Sequence, residues 1–147
     1  MTVRQSRAVA GIFVLAAMLL FACNVYAQGA KELYEKAKES LSKGLYEESM
    51  AQVTQAIQLD PGVAEFYTLR GNLFRNKSDL THAIPDYSKA IEIDPNNGEV
   101  YYFRAISYMF TKEYDLAWAD VHKAESLGYK IFQGFIDDLK QASGREK

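Results

Sequence analysis

Shifted by 34 residues, this sequence matches itself, and that period limits its fold more than any other feature. Ala37, Gly71 and Ala105 fall in register. So do Tyr46, Leu80 and Tyr114, then Ala56, Ala90 and Ala124, and also Pro61 and Pro95. A unit of this length cannot bury a core alone, so it must stack on its copies. The clearest unit runs from Ala64 to Asn97. In it, Tyr67-x2-Arg70-Gly71-x2-Phe74 is followed by Leu80, by Ala83-x3-Tyr87-x2-Ala90 and by Asp94-Pro95. Two helices meeting face to face need this mixture, small residues letting the backbones approach and large ones filling the remaining space. Asn76, Lys77, Ser78 and Asp79 break the apolar pattern midway, and aspartate is a good helix N-cap. The unit reads as one helical hairpin.

The same reasoning places helices along the rest of the chain. Ala30–Ser42 carries Leu33, Ala37 and Leu41 on one face, and Gly44 ends it by accepting a left-handed conformation. Tyr46–Leu59 turns Met50, Val53 and Ile57 inward until Asp60-Pro61-Gly62 stops it. Ala64–Asn76 and Leu80–Ile93 form the second hairpin, Glu99–Phe110 and Tyr114–Leu127 the third. Pro85 lies beyond the first turn of its helix, where proline removes a needed donor, and predicts a kink or a loosened first turn. A seventh helix is expected at Ile131–Ala142, with Ile131, Phe132, Phe135, Ile136 and Leu139 striped against Asp137, Asp138 and Lys140. Such a helix would cover the open end of the last hairpin, although a partner-binding amphipathic helix has the same pattern.

This period, with its small and aromatic positions, resembles the tetratricopeptide-repeat family. The resemblance covers Ala30 to Leu127, with repeats near 30–63, 64–97 and 98–131 and a capping helix near 131–142. It implies an all-α fold over residues 28–147, a right-handed superhelix of three helical hairpins plus a C-terminal capping helix. The chain departs from the pattern at its ends. Ser40 and Ser49 stand where later repeats carry Phe74 or Tyr108 and Ala83 or Ala117. The third repeat closes on Leu127-Gly128-Tyr129 in place of Asp-Pro. Terminal repeats have a neighbour on one side only and are expected to be atypical.

Met1–Ala27 stands apart from this array. Arg4 and Arg7 precede an apolar run from Ala8 to Ala22, and Val25-Tyr26-Ala27 ends on a small residue before Gln28, the layout of a secretory signal peptide. The run is about 15 residues, short of the roughly 20 that a spanning helix needs. Leu20-Phe21-Ala22-Cys23 also resembles a bacterial lipoprotein box, in which Cys23 would be acylated, though Phe21 is bulky for such a box. Cleavage after Ala27 implies a periplasmic or secreted protein of bacterial type. Acylation, or an uncleaved leader, implies a membrane anchor. Cys23 is the single cysteine, so the repeats have no thiol chemistry.

The chemistry-bearing residues do not converge. His82 and His122, the two histidines, are far apart in sequence and expected at the solvated surface. There is no glycine-rich phosphate loop and no G-x-S-x-G turn, and Asp137 and Asp138, adjacent on a helix, cannot face each other as acid and base. A net charge of −2 gives no footprint for nucleic acid. No enzyme activity, cofactor, metal or small-molecule substrate is expected. One polar pattern carries structure instead. Arg70 and Asp86 recur as Arg104 and Asp120, whereas the first repeat has Lys36 and Gln52 there. Arginine and aspartate are present together or absent together, which predicts an ion pair across each hairpin or between neighbours.

The resemblance implies that the first helix of each hairpin lines a concave surface that binds a peptide or a partner's helix. First-helix residues on the stripe opposite Tyr67, Gly71 and Phe74 are then candidates for partner binding. They are Thr68, Asn72 and Arg75, with Tyr34 and Lys38 before them and Tyr102, Ile106 and Met109 after. Asn72 matches a place where related repeats hold a peptide backbone with an asparagine amide. Related repeats that clamp a terminal carboxylate surround that asparagine with bases. Here Glu65, Glu99, Tyr102 and Phe103 flank it, and only Lys38 and Arg75 are basic, so no such clamp is expected. An alternative use is as an envelope scaffold or assembly factor that binds through its convex face or its termini.

Overall fold

The computed structural model describes the backbone of residues 3–145 and the side chains of residues 18, 21, 22 and 24–145. Among the described residues, seven helices follow in order: α1 (Val3–Ser42), α2 (Tyr46–Leu59), α3 (Ala64–Asn76), α4 (Leu80–Ile93), α5 (Gly98–Phe110), α6 (Tyr114–Ser126) and α7 (Gln133–Ser143). No strand occurs among them. Helices α1 and α2, α3 and α4, and α5 and α6 pair as hairpins, and α2 meets α3 as α4 meets α5.

The first helix is longer than the Ala30 start expected from its repeat. It runs from Val3 without a break at residue 27. Between the apolar run and the first repeat there is no proline, and the single Gly29 weakens a helix by only about 1 kcal/mol, so nothing stops propagation. The processing signals expected within Met1–Ala27 fall largely outside the described side chains, Cys23 among them.

The hairpins turn and end by local devices. Gly44, Ser78 and Lys112, one period apart, all adopt positive φ, at 76°, 60° and 65°. Asp79 caps α4 by accepting from the His82 amide, and Asn97 caps α5 by accepting from the Glu99 amide. Asp60 and Asp94 each accept from the amide two residues on, which folds the Asp-Pro corners. The third hairpin lacks that corner, and there Gly128 takes φ 80° while the Tyr129 amide returns to the Ala124 carbonyl at 3.0 Å.

The core is divided by hairpin junction. Ala37, Val53, Phe66 and Leu73 fill the first part, Tyr67, Ala83, Tyr87 and Val100 the second, and Ala105, Trp118, Val121 and Leu139 the third. The departures of the first repeat are accommodated by hydrogen bonds. Ser49 is buried and donates to the Ala37 carbonyl at 2.8 Å, and Ser40 donates to Gln52 Oε1 at 2.9 Å. Close approach within the second hairpin depends on Gly71. A Cβ there would lie 2.8 Å from the Tyr87 ring, which is fully buried. The equivalent pairs in the first and third hairpins are Ala37 with Val53 and Ala105 with Val121. Where the first helix gives up a methyl, the second gains a ring.

Helix α4 passes Pro85 as one unbroken helical element. Pro85 and Thr81, whose carbonyl loses its partner, are both exposed, so water can satisfy the free acceptor. Pro85→Ala should therefore restore one helical bond and stabilise the fold by about 1–2 kcal/mol, read as a raised urea midpoint at unchanged m-value. The cap is displaced. Helix α7 starts at Gln133, and Phe132, expected on the buried stripe, is 74% exposed as the residue before the helix. Its ring covers Gly134, where a Cβ would collide with it. Phe135, Ile136 and Leu139 do pack onto Ala105, Ala117, Trp118 and Val121, so α7 closes the third hairpin as its stripe implied.

Candidate partner-binding groove

Two ion pairs set the helices that line the groove. Arg70 donates to both Asp86 oxygens, from Nε and Nη2, at 2.7 Å. Arg104 does the same to Asp120 at 2.8 Å, and its Nη1 reaches back to the Ser88 hydroxyl at 2.9 Å. The aspartates are buried and the guanidinium groups retain one exposed edge. This is the pairing that the repeat pattern predicted, formed within each hairpin. Bonds to Asp86 hold the Arg70 pKa above the ordinary arginine value against the effect of burial. Burial opposes the Arg104 charge, yet its bonds to Asp120 outweigh that and raise it as well. Both arginines therefore stay charged throughout the neutral range.

Helices α1, α3 and α5 share one side of the stack, and between them lies a depression of about 200 Å³. Its lining brings together Tyr34, Lys38, Thr68 and Asn72, four of the residues expected to bind a partner, with Glu65, Leu69, Asn97 and Glu99. A second depression of about 290 Å³ adjoins it, sharing Tyr34 and Glu65 and reaching Val63 and Phe66. The Tyr34 ring is set by Phe66, 5.0 Å away, and by the Lys38 ammonium, 4.9 Å above it. Burial raises the Tyr34 pKa; Lys38 counters this, and the Glu65 and Glu35 carboxylates add to it.

Asn72 is held in place from behind. The Tyr87 hydroxyl donates to Asn72 Oδ1 at 2.8 Å and accepts from Arg75 Nε at 3.2 Å. With its carbonyl engaged, Asn72 keeps an amide NH₂ that donates to nothing else among the described residues, and so offers it to a ligand carbonyl. Thr68 has its hydroxyl turned back onto the Ala64 carbonyl at 3.0 Å.

The other expected residues lie apart from this depression. Arg75 is engaged by Tyr87 and lies 5.4 Å from the centre of the Phe103 ring. Tyr102, Ile106 and Met109 pack against the third part of the core, Tyr102 meeting Phe135 of α7 edge-on at 5.2 Å. Asn97 escaped notice in the sequence because it sits in a turn cluster. Its Oδ1 caps α5, and only the approach of α5 to α3 brings it to the depression. His82 and His122 are exposed, and His82 is bonded to Asp79 at 2.8 Å.

Comparison with known proteins agrees with this geometry. The family model described as "Tetratricopeptide repeat" matches residues 64–97, the middle hairpin. Residues 64–97 thus match one tetratricopeptide repeat. A structure of the first such domain of Spaghetti (RPAP3) bound to the HSP90 peptide SRMEEVD is similar, with a TM-score of 0.73 and 20% identity over 80% of this chain and 93% of that one. The TPR2B domain of yeast Sti1, in a complex with pHsp70, aligns with a TM-score of 0.67 and 25% identity over 80% of this chain and 95% of that one. Among curated proteins, the "Protein SGT1 homolog" of Oryza sativa subsp. japonica is 32% identical across 71% of this chain and 28% of its own length. "Hsc70-interacting protein 1" of Drosophila melanogaster is 29% identical across 68% of this chain and 26% of its own. The chain thus spans about a quarter of these curated relatives. The fold is the all-α tetratricopeptide superhelix. Both curated relatives are eukaryotic and lend no support to a bacterial, exported origin.

Proposed function

We propose that this chain is a non-catalytic interaction module that takes an extended segment of a partner protein along the α1–α3–α5 face. The observation that carries this reading is Asn72, its carbonyl locked by Tyr87 and its amide left free at a depression lined from three helices. A fixed donor beside an aromatic wall suits a peptide backbone, which offers a carbonyl at every residue. Similar folds bound to an HSP90 peptide or in a complex with pHsp70 support a protein-binding role.

Asn72→Ala and Tyr34→Ala should each weaken binding to a partner captured by the full chain about tenfold, the loss of one well-placed contact. Circular dichroism should be unchanged in both. Unaltered affinity in both variants would move the interface to the convex face or the termini.

Export is the second part of the reading, carried by the leader. Mature protein should begin at Gln28, and Cys23→Ser should leave processing and solubility unchanged. Loss of membrane association on that substitution would favour the lipid-anchored scaffold suggested by Leu20-Phe21-Ala22-Cys23.

A further inference from the structure

The charges around Asn72 are not balanced. Lys38 is committed to Glu35 at 2.8 Å, and Arg75 to the Tyr87 hydroxyl and the Phe103 ring. Glu65 and Glu99 line the depression, both exposed, and neither carboxylate has a cationic partner among the described residues. Asn97 and Asn72 add polar side chains, and Tyr34 adds an aromatic ring.

Resting on the groove reading, we infer that the partner segment is an internal stretch that places a lysine or arginine side chain between Glu65 and Glu99. A cation there gains two carboxylates, while the Asn72 amide holds a backbone carbonyl nearby. A chain terminus or an acidic tail would bring a carboxylate against two others, with Lys38 as the one base among the lining residues. The preference is thus the reverse of the acidic peptide SRMEEVD held by the similar Spaghetti domain. Tyr102 and Ile106, the third-hairpin positions from which a base could reach the groove, are instead apolar packing against the α7 cluster.

The test uses the full chain and pools of N-acetylated, C-amidated octapeptides. One position at a time is fixed as Lys, Arg, Glu or Leu and the others are mixed. At 0.1 M salt, Lys and Arg pools should be retained about fivefold over Glu pools, the size of two exposed ion pairs. The Glu65→Gln/Glu99→Gln variant should shrink that ratio below about twofold, and so should 0.5 M salt. Both positions are exposed, so the variant should keep its helicity. Preference for Glu pools, or for uncapped peptides, that Asn72→Ala abolishes would overturn the charge preference and leave the groove standing. Retention of no pool, or retention that ignores Asn72→Ala, would overturn the groove reading as well.

Discussion

Gly71→Ala should destabilise the fold even though alanine is the better helix former. The added methyl gains about 1 kcal/mol of helix propensity. It also enters a space 2.8 Å from the Tyr87 ring, which is fully buried and tied by its hydroxyl to Asn72 and Arg75. Overpacking of this kind costs about 1–3 kcal/mol, so the net effect is a loss of up to about 2 kcal/mol. Tyr87→Val alone should cost about 3 kcal/mol, because it opens a cavity and removes the partner of Asn72. Combined, the two substitutions rebuild the pairs already present at Ala37 with Val53 and Ala105 with Val121. The double variant should be more stable than the sum of the single losses by at least about 1 kcal/mol in a urea double-mutant cycle. Strict additivity would show that the Gly71–Tyr87 contact is not what sets the spacing of α3 and α4.

Breaking the arginine–aspartate pairs should have an effect of the same order. Asp120→Asn keeps the shape but leaves Arg104, 17% exposed, without its counter-charge. Removing one partner of a buried pair costs about 3–5 kcal/mol, and the exposed edge of this arginine reduces that to about 2–3 kcal/mol. Asp86→Asn should cost a similar amount, yet the two differ in reach. Asp120 also aims Arg104 at Ser88 in the preceding hairpin, a bond that Arg70 does not make to the first hairpin. Stack stability depends on such junctions as well as on the units themselves. Asp120→Asn should therefore broaden the unfolding transition or split it, while Asp86→Asn should shift the midpoint with little change of slope. Equal slopes for the two variants would remove the junction role assigned to Arg104. On the arginine side, the raised pKa values keep this contribution in place below the ordinary arginine range, to be lost only in strong alkali.

By itself the sequence determined the stack. A fixed period places small residues against large ones at each hairpin, and turn residues close each unit locally. Five of the seven helices accordingly lie within one residue of where their patterns put them. The ion pairs were legible for a related reason, since arginine and aspartate that come and go together across a period meet in every unit that has both. Four of the residues expected to bind a partner line one depression, because Tyr34, Lys38, Thr68 and Asn72 follow the helical repeat on one face.

Tertiary structure decided what local periodicity cannot encode. It brought Phe135 of α7 against Tyr102 and packed Ile106 and Met109 on the same cluster, contacts that the helical pattern does not specify. It let α4 run through Pro85, where Thr81, the residue whose carbonyl proline leaves unpaired, is exposed. It brought Asn97, a turn residue in the sequence, to the rim beside Glu65. Each of these depends on which other element arrives at a surface. A residue's place within its own helix fixes the direction of its side chain but not what it will meet there.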